Sequence, residues 1–132
     1  LLIGFAVENL IKGHLIYENP SWVGKGSLSR HLLTHDLEKL ASKSKNIEVD
    51  EDGQEFLSLL SEGLLSWARY PCGINFEETK YQPEFYDEAW NYCISFLKEN
   101  GSKLMALLEN GWEGPHETGG HWEFKGDNFW TK

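Results

Sequence analysis

Apolar residues recur every three or four positions in four stretches of the chain, and glycine, proline or acidic residues lie between these stretches. This spacing matches the turn of an α-helix and predicts four amphipathic helices. The longest stripe stays in helical phase across the sequence ENGS, so Gly101 is predicted to bend or interrupt one long helix. Its members are Phe85, Ala89, Cys93, Phe96, Leu97, Leu104, Leu107 and Leu108. Because short connections join neighbouring helices, the pattern predicts an all-α fold, an antiparallel bundle of four to five helices.

The first predicted helix covers residues 1 to 18. Its apolar face consists of Ile3, Val7, Leu10, Ile11, His14 and Leu15. Glu8 and Lys12 are paired one turn apart on another face. His14 lies on the apolar face, and we expect it to be a core histidine whose hydrogen bonds are satisfied.

The second and third helices have less regular boundaries. The second is predicted to begin between Ser27 and Asp36 and to fade in the sequence SKSKNI. Its apolar face would contain Leu33, Leu37, Leu40 and Ala41. The third would carry Phe56, Leu59, Leu60, Gly63, Leu64 and Trp67 and end at or before Tyr70, because Pro71 follows. Trp67 and Trp90 are predicted to lie in the core, and Gly111 is predicted to end the last helix.

The C-terminal segment, residues 112–132, has a different composition from the helical domain predicted for residues 1–111. It combines glycines with Trp122, Phe124, Phe129 and Trp130 around the sequence KGDN. Two short apolar runs around a Gly-Asp turn favour a hairpin, whereas the glycines at 114, 119 and 120 favour a flexible arm. Trp122 and Trp130 are predicted to contact a ligand or partner.

Charge and cysteine content limit the range of functions. The 132-residue chain fits one globular domain with a net charge of −9, which disfavours RNA or nucleotide binding except at a local basic cluster. Cys72 and Cys93 form neither a disulfide framework nor a metal motif, which favours a cytoplasmic protein. Glu8 and Lys12 come too early for a membrane span. No cofactor motif is present, so no cofactor is predicted.

Three short sequences resemble the HEPN family (higher eukaryotes and prokaryotes nucleotide-binding domains). They are ENLIKGHLI in the first helix, THDLEKLA after a loop, and WARYP near the end of a later helix. The resemblance covers about residues 5 to 110 and implies a four- or five-helix bundle that is often dimeric. Such domains occur beside nucleotidyltransferases and in bacterial defence, which would include toxin–antitoxin systems.

The sequence RHLLTH is similar to the Arg-polar-His motif of catalytic HEPN members, which cleave RNA without a metal ion. The resemblance implies that Arg30 steadies a phosphate and that His35 moves a proton. On a continuous helix these two residues would point roughly 140° apart. They converge if a helix begins between them, with Thr34 as N-cap and Asp36 in the first turn, or if two subunits contribute one each. The same capping pattern also describes an ordinary helix start.

Two further histidine pairs and one arginine are also candidate site residues. His31 and His35 share a helical face and would suit zinc, but the sequence offers no evident third ligand, so no metal site is predicted. The same applies to His116 and His121. Arg69 lies at a helix end before a proline, where its cation suits terminal carbonyls or an acidic partner. His31 and Arg69 are therefore candidates for ligand or partner binding.

The sequence thus predicts an HEPN-like binding or regulatory module. We expect it to self-associate as a homodimer or to dock a protein partner, because an aromatic-rich bundle leaves apolar surface to cover. The alternative is a metal-independent endoribonuclease that uses Arg30 and His35.

Overall fold

The computed structural model describes residues 2–65 and 87–124, and the side chains of residues 63–65 are not described. This part of the chain is mostly helical and contains two small antiparallel strand pairs, which confirms the predicted helical class. The elements are α1 (Leu2–Glu18), a 3-10 turn (Pro20–Trp22), β1 (Val23–Gly24), β2 (Ser27–Leu28), a 3-10 turn (Arg30–Leu32), α2 (Leu37–Ser42), α3 (Glu51–Leu65), α4 (Asp87–Asn110), β3 (Trp112–Glu113), a 3-10 turn (Pro115–Glu117) and β4 (Gly119–Gly120). The predictions for Trp67, Arg69, Phe85, Phe129, Trp130 and the KGDN turn lie outside the described residues.

Helix α1 lies at the centre of the described fold and packs against α2, α3 and α4. Its predicted apolar face is confirmed, because Val7, Ile11 and Leu15 are fully buried. Burial of each such side chain contributes about 1.5–3 kcal/mol relative to an exposed position. The residues of the other helices that complete this core are Leu37, Leu40, Ala41, Leu57, Leu60, Cys93, Phe96 and Leu97. No described helix combines the length and apolar content needed to cross a membrane.

His14 is buried between α1 and α4, as its sequence position predicts. Its Nε2 lies 2.7 Å from the backbone oxygen of Asn100, and the Asn100 side-chain amide donates a 3.0 Å hydrogen bond to the oxygen of Phe96. His14 Nδ1 and Asn100 Oδ1 have no hydrogen-bond partner among the described residues. The prediction of a core histidine is therefore confirmed, but its hydrogen bonds are only half satisfied. Burial lowers the pKa of His14 below its ordinary value, because the charged imidazolium would lose its hydration.

Helix α2 begins later and is shorter than its sequence spacing suggests. Asp36 is the N-cap, and its Oδ1 accepts a 3.1 Å hydrogen bond from the Lys39 amide. The prediction of Thr34 as N-cap is wrong: Thr34 Oγ1 instead accepts a 3.1 Å bond from the Asp36 amide, just before the helix. The helical spacing predicts Leu33 on the apolar face, yet Leu33 is 65% exposed, because residues 33–36 are not helical.

Helix α4 runs through Gly101, which is buried, so the prediction of one long helix is confirmed, whereas an interruption at Gly101 is not found. It ends before Gly111, whose φ of 118° suits glycine and confirms the predicted stop. Trp90 was predicted to lie in the core but is 49% exposed. Trp90 directly follows the buried Ala89 in the helix, so the Trp90 side chain points away from the apolar stripe.

Two hairpin-like strand pairs lie near the helix ends. β1 pairs with β2 around Gly26, which has a φ of 75°, and β3 pairs with β4. The second pair falls at residues 112–120, before the Gly-Asp turn that was proposed for a hairpin. The Trp122 amide then donates a 3.0 Å hydrogen bond to the oxygen of Leu108 on α4. The described part of the C-terminal segment is thus attached to α4.

Candidate functional site

A buried carboxylate, that of Glu8, connects α1 to the segment that precedes α2. Glu8 Oε1 accepts a 2.6 Å hydrogen bond from Lys12 Nζ, and Glu8 Oε2 lies 2.9 Å from His35 Nδ1. The side chain of Glu8 is 7% exposed, against 21% for Lys12 and 41% for His35. Both carboxylate oxygens have a partner, which offsets the cost of burying the charge. We call these three residues the Glu8 network.

The Glu8 network follows from how α1 and α2 are placed. Lys12 lies one helical turn after Glu8, so their ion pair forms within α1 as predicted. His35 lies in the non-helical link between the 3-10 turn Arg30–Leu32 and the N-cap Asp36. Leu37, two residues later, is fully buried and its amide donates a 2.9 Å bond to Ser61 Oγ of α3. This anchor fixes the link and brings the imidazole to the buried carboxylate.

The charge state of Glu8 is set by opposing effects. Burial alone raises the pKa of its carboxyl group, because the ionised form loses hydration. The hydrogen bonds from Lys12 and His35, together with the charges of these partners, outweigh burial and hold the pKa of Glu8 below its ordinary value. Glu8 is therefore an ionised acceptor at neutral pH, even though its side chain is almost completely buried.

The two residues of the proposed ribonuclease pair lie in different environments. Arg30 is exposed on its 3-10 turn, while His35 is half-buried and bonded to Glu8. Within residues 2–65 and 87–124, no hydrogen bond or ion pair joins Arg30 to His35. The Nε2 atom of His35 likewise makes no hydrogen bond in this part of the chain. A half-exposed imidazole with one nitrogen fixed by a carboxylate is an arrangement suited to proton transfer.

The segment from Leu28 to Leu33 exposes both apolar and basic side chains. Leu32 is 2% exposed and anchors the turn in the core, and Ser29 caps it by accepting a 3.3 Å hydrogen bond from the His31 amide. Leu28 and Leu33 are 49% and 65% exposed, and Arg30 and His31 are exposed between them. We call Leu28, Arg30, His31 and Leu33 the docking face.

His31 is held in place by an aromatic contact. Its ring stacks on that of Trp22, with centroids 4.5 Å apart and planes 18° apart. Trp22 itself packs against the hydrophobic core. His31 therefore has restricted freedom although its surface is exposed, and a partner would meet it in a fixed position.

The structure also bears on the other candidates. Trp122 is 52% exposed and lies beside Phe124, with ring centroids 6.0 Å apart, which leaves it available to a partner. Arg69 and Trp130 lie outside the described residues. His31 and His35 do not share a helix, and each ring has another contact, with Trp22 and Glu8 respectively. Among the described residues, no group of three or more His, Cys, Asp or Glu side chains is placed to hold a metal ion.

Sequence reasoning missed two members of these sites. Glu8 was recognised as the partner of Lys12, but not as the partner of His35, which is 27 residues away. A signal was present, since Glu8 directly follows the core residue Val7 and borders the apolar stripe, where a carboxylate needs partners. Trp22 was not singled out, and no local spacing relates it to His31.

The described residues therefore contain two adjoining features in one segment: a docking face of apolar and basic groups, and an imidazole oriented by a buried carboxylate. The first can bind a surface of opposite charge, and the second can accept or donate a proton. No protein-family model matches this chain, and no curated protein or solved structure shows significant similarity to it.

Proposed function

We propose that this protein is an HEPN-like binding module, an antiparallel bundle of four to five helices that docks an acidic protein through the docking face. The observation that supports this is the exposure of Leu28 and Leu33 on either side of Arg30, on a turn that buried Leu32 holds in place. We expect these two leucines to belong to one surface patch, and exposed apolar patches mark interaction sites. Arginine is among the residues that contribute most at interface centres.

Charge defines the chemistry of the partner. Residues 19–35 contain Lys25, Arg30, His31 and His35 and none of the 21 Asp and Glu residues of the chain. A surface with carboxylates around an apolar centre complements this segment. A second copy of the chain, with its net charge of −9, is the first such partner to test, and the homodimer stays a prediction.

Site-specific crosslinking tests the docking face directly. A photoreactive amino acid replaces Leu33 in the full chain, and a matched variant carries it at Ser42, which is exposed on α2. In the cells that naturally produce the protein, we expect discrete protein adducts from position 33 and none from position 42. Adding Arg30→Glu to the position 33 variant should abolish its adducts. Adducts that are absent from position 33, or unchanged by Arg30→Glu, contradict the proposal.

Sedimentation identifies the partner when it is a second copy. At tens of micromolar protein, about a thousandfold above a dissociation constant in the tens of nanomolar range, a homodimer sediments at twice the 15.2 kDa mass of one chain. The Arg30→Glu, Leu33→Ser variant should then sediment as a monomer. A wild-type chain that sediments at 15.2 kDa excludes the homodimer and leaves a different acidic protein as the crosslinked species.

A second candidate function is a metal-independent endoribonuclease using Arg30 and His35. The observation that favours it is the 2.9 Å contact between His35 Nδ1 and Glu8, which orients a half-exposed imidazole. The purified protein should cut single-stranded RNA in the presence of a chelator and leave a cyclic phosphate, because a ribose hydroxyl is the nucleophile.

Variants of the histidine test this second candidate. His35→Ala should lower the cleavage rate by about 10²–10⁴-fold, the usual contribution of a general acid or base. Arg30→Ala should lower it nearly as far, since the phosphate loses its counter-charge. His121→Ala is the matched control, because His121 is exposed and far along the chain from both residues. Cleavage that survives His35→Ala would exclude this activity.

A further inference from the structure

The hydrogen-bonding pattern of Glu8 assigns a role to this buried residue beyond stability. We infer that Glu8 is a positioning residue, which holds His35 as the Nδ1–H tautomer and so leaves Nε2 free to take a proton. The substrate class, single-stranded RNA, rests on the second candidate function above. The tautomer does not, and it can be measured without any substrate.

The Glu8 carboxylate determines which nitrogen of His35 carries the hydrogen. An ionised carboxylate only accepts hydrogen bonds, so the 2.9 Å contact between Glu8 Oε2 and His35 Nδ1 requires a hydrogen on Nδ1. In a neutral imidazole the other nitrogen, Nε2, then carries the free lone pair. Lys12 binds the second carboxylate oxygen at 2.6 Å, which restrains rotation of the group. Glu8 is also held on a buried helix face, so the imidazole has a fixed direction.

The resulting imidazole has a defined part in RNA cleavage. Nε2 of His35 takes the proton of the ribose 2′-hydroxyl while the 2′-oxygen forms a bond to phosphorus. The bond from phosphorus to the 5′-oxygen breaks, and the leaving oxygen takes a proton from water. The imidazolium then returns its proton to the hydroxide so formed, which restores the neutral histidine. In this scheme His35 is the catalytic residue, Arg30 compensates the phosphate charge, and Glu8 acts through His35 alone.

Nitrogen NMR of the full chain with labelled histidine tests the inference. At about pH 8.5, where an ordinary histidine is neutral, the correlations between ring protons and nitrogens distinguish the two tautomers. We expect wild-type His35 to be mainly Nδ1–H. A His35 that is mainly Nε2–H in the wild-type protein overturns the inference, and this measurement needs no variant to fold.

Two variants separate positioning from packing. Glu8→Leu removes the acceptor, and we expect His35 to move to the Nε2–H form that free histidine prefers. Glu99→Leu is the matched control, since it removes an exposed carboxylate that pairs with Lys103 on α4 and leaves the Glu8 network intact, so His35 should remain Nδ1–H. Retention of the Nδ1–H form in Glu8→Leu contradicts the inference.

RNA cleavage then distinguishes the inference from the function on which its substrate rests. If the wild-type protein cuts RNA, Glu8→Leu should lower kcat by about 10²-fold or more while KM stays within about threefold. A loss of activity that comes from a higher KM, and therefore from weaker substrate binding, would contradict positioning. If wild-type His35 is Nδ1–H and no RNA is cut, the ribonuclease candidate is wrong and the positioning of His35 by Glu8 is supported.

Discussion

Gly53 offers a direct test of the packing between α3 and α4. It is the third residue of α3 and is buried, and its amide donates a 2.8 Å hydrogen bond to Asp50 Oδ1. A Cβ built at this position would collide with the Tyr92 hydroxyl and lie 2.8 Å from Val49 Cγ1. Both approaches, to the Tyr92 hydroxyl and to Val49 Cγ1, are closer than ordinary van der Waals contacts. Gly53→Ala therefore requires Tyr92 and Val49 to move.

The size of the effect comes from two opposing contributions. Replacing glycine by alanine within a helix contributes up to about 1 kcal/mol of stability. Overpacking in a well-packed region costs about 1–3 kcal/mol. Because the added methyl meets two groups at once, we expect Gly53→Ala to lower the free energy of unfolding by about 1 kcal/mol.

Gly13→Ala is the matched control in α1. A Cβ at Gly13 comes no closer than 3.3 Å, to the Leu104 Cδ2 atom at the end of a flexible side chain. We therefore expect this variant to be neutral or more stable by up to about 1 kcal/mol. The predicted order of stability is thus Gly13→Ala, then wild type, then Gly53→Ala.

Urea denaturation at neutral pH measures this order. Tyr92→Phe removes the hydroxyl but keeps the ring that stacks on Phe56 at a centroid distance of 4.8 Å, so it should reduce the cost of Gly53→Ala in the double variant. If Gly53→Ala unfolds at a urea concentration equal to or above that of the wild type, the proposed collision is wrong. If Gly53→Ala destabilises the Tyr92→Phe variant as much as the wild type, the collision is with Val49 rather than with the Tyr92 hydroxyl.

Three further predictions concern the helix start, the buried histidine and the C-terminal segment. Asp36→Ala should destabilise by about 1 kcal/mol through loss of the N-cap, and Thr34→Ala by at most about 0.5 kcal/mol, both measured by urea denaturation. Because the pKa of His14 is lowered below 6.5, the unfolded chain takes up a proton that the folded chain does not. Stability should therefore be full above pH 6.5 and fall as the pH is lowered, less steeply in His14→Gln, whose urea midpoints at about pH 7.5 and 5.5 give the comparison. Ending the chain at Gly111 should lower the melting temperature by several degrees in calorimetry, because it removes half-buried Trp112 and the attachment of Trp122 to α4.

The parts of the fold that the sequence predicts well are those that local periodicity determines. The face of α1 follows from spacing alone, since its apolar residues repeat without a break over four turns. The continuity of α4 could be read from the phase of its stripe on both sides of Gly101, and its end from Gly111. In each case the residues that decide the outcome are within one or two turns of each other.

The start of α2 could not be predicted because several local signals compete. Ser29, Thr34 and Asp36 are all good caps, and the structure uses the first for a 3-10 turn and the last for the helix. The link between the turn and the helix is not helical, so the Leu33 side chain is exposed to solvent, although its spacing from Leu37 fits a helix. Helix α2 also packs on α1 and α3, and local spacing does not reveal such long-range contacts.

The candidate site depends on the same packing. The contact between Glu8 and His35 joins residues 27 positions apart, so no periodic pattern indicates it. His35 and Arg30 could be identified as candidate catalytic residues because the sequence RHLLTH resembles a ribonuclease motif. That resemblance gave no reason to expect that His35 would be bonded to a buried carboxylate while Arg30 remained exposed.

The two proposed activities use a segment that is fixed at both ends, which has consequences for binding energy. Leu32 anchors one end in the core, and Asp36 caps α2 at the other, next to the buried Leu37. Ordering a flexible side chain at an interface costs about 0.5–1.5 kcal/mol, and ordering the backbone of a residue costs about 1–2 kcal/mol. A segment whose backbone is already ordered by folding avoids the backbone part of this cost when it meets a partner. Arg30 and Leu33 can therefore contribute to affinity, and His35 to proton transfer, without a change in the backbone conformation of this segment.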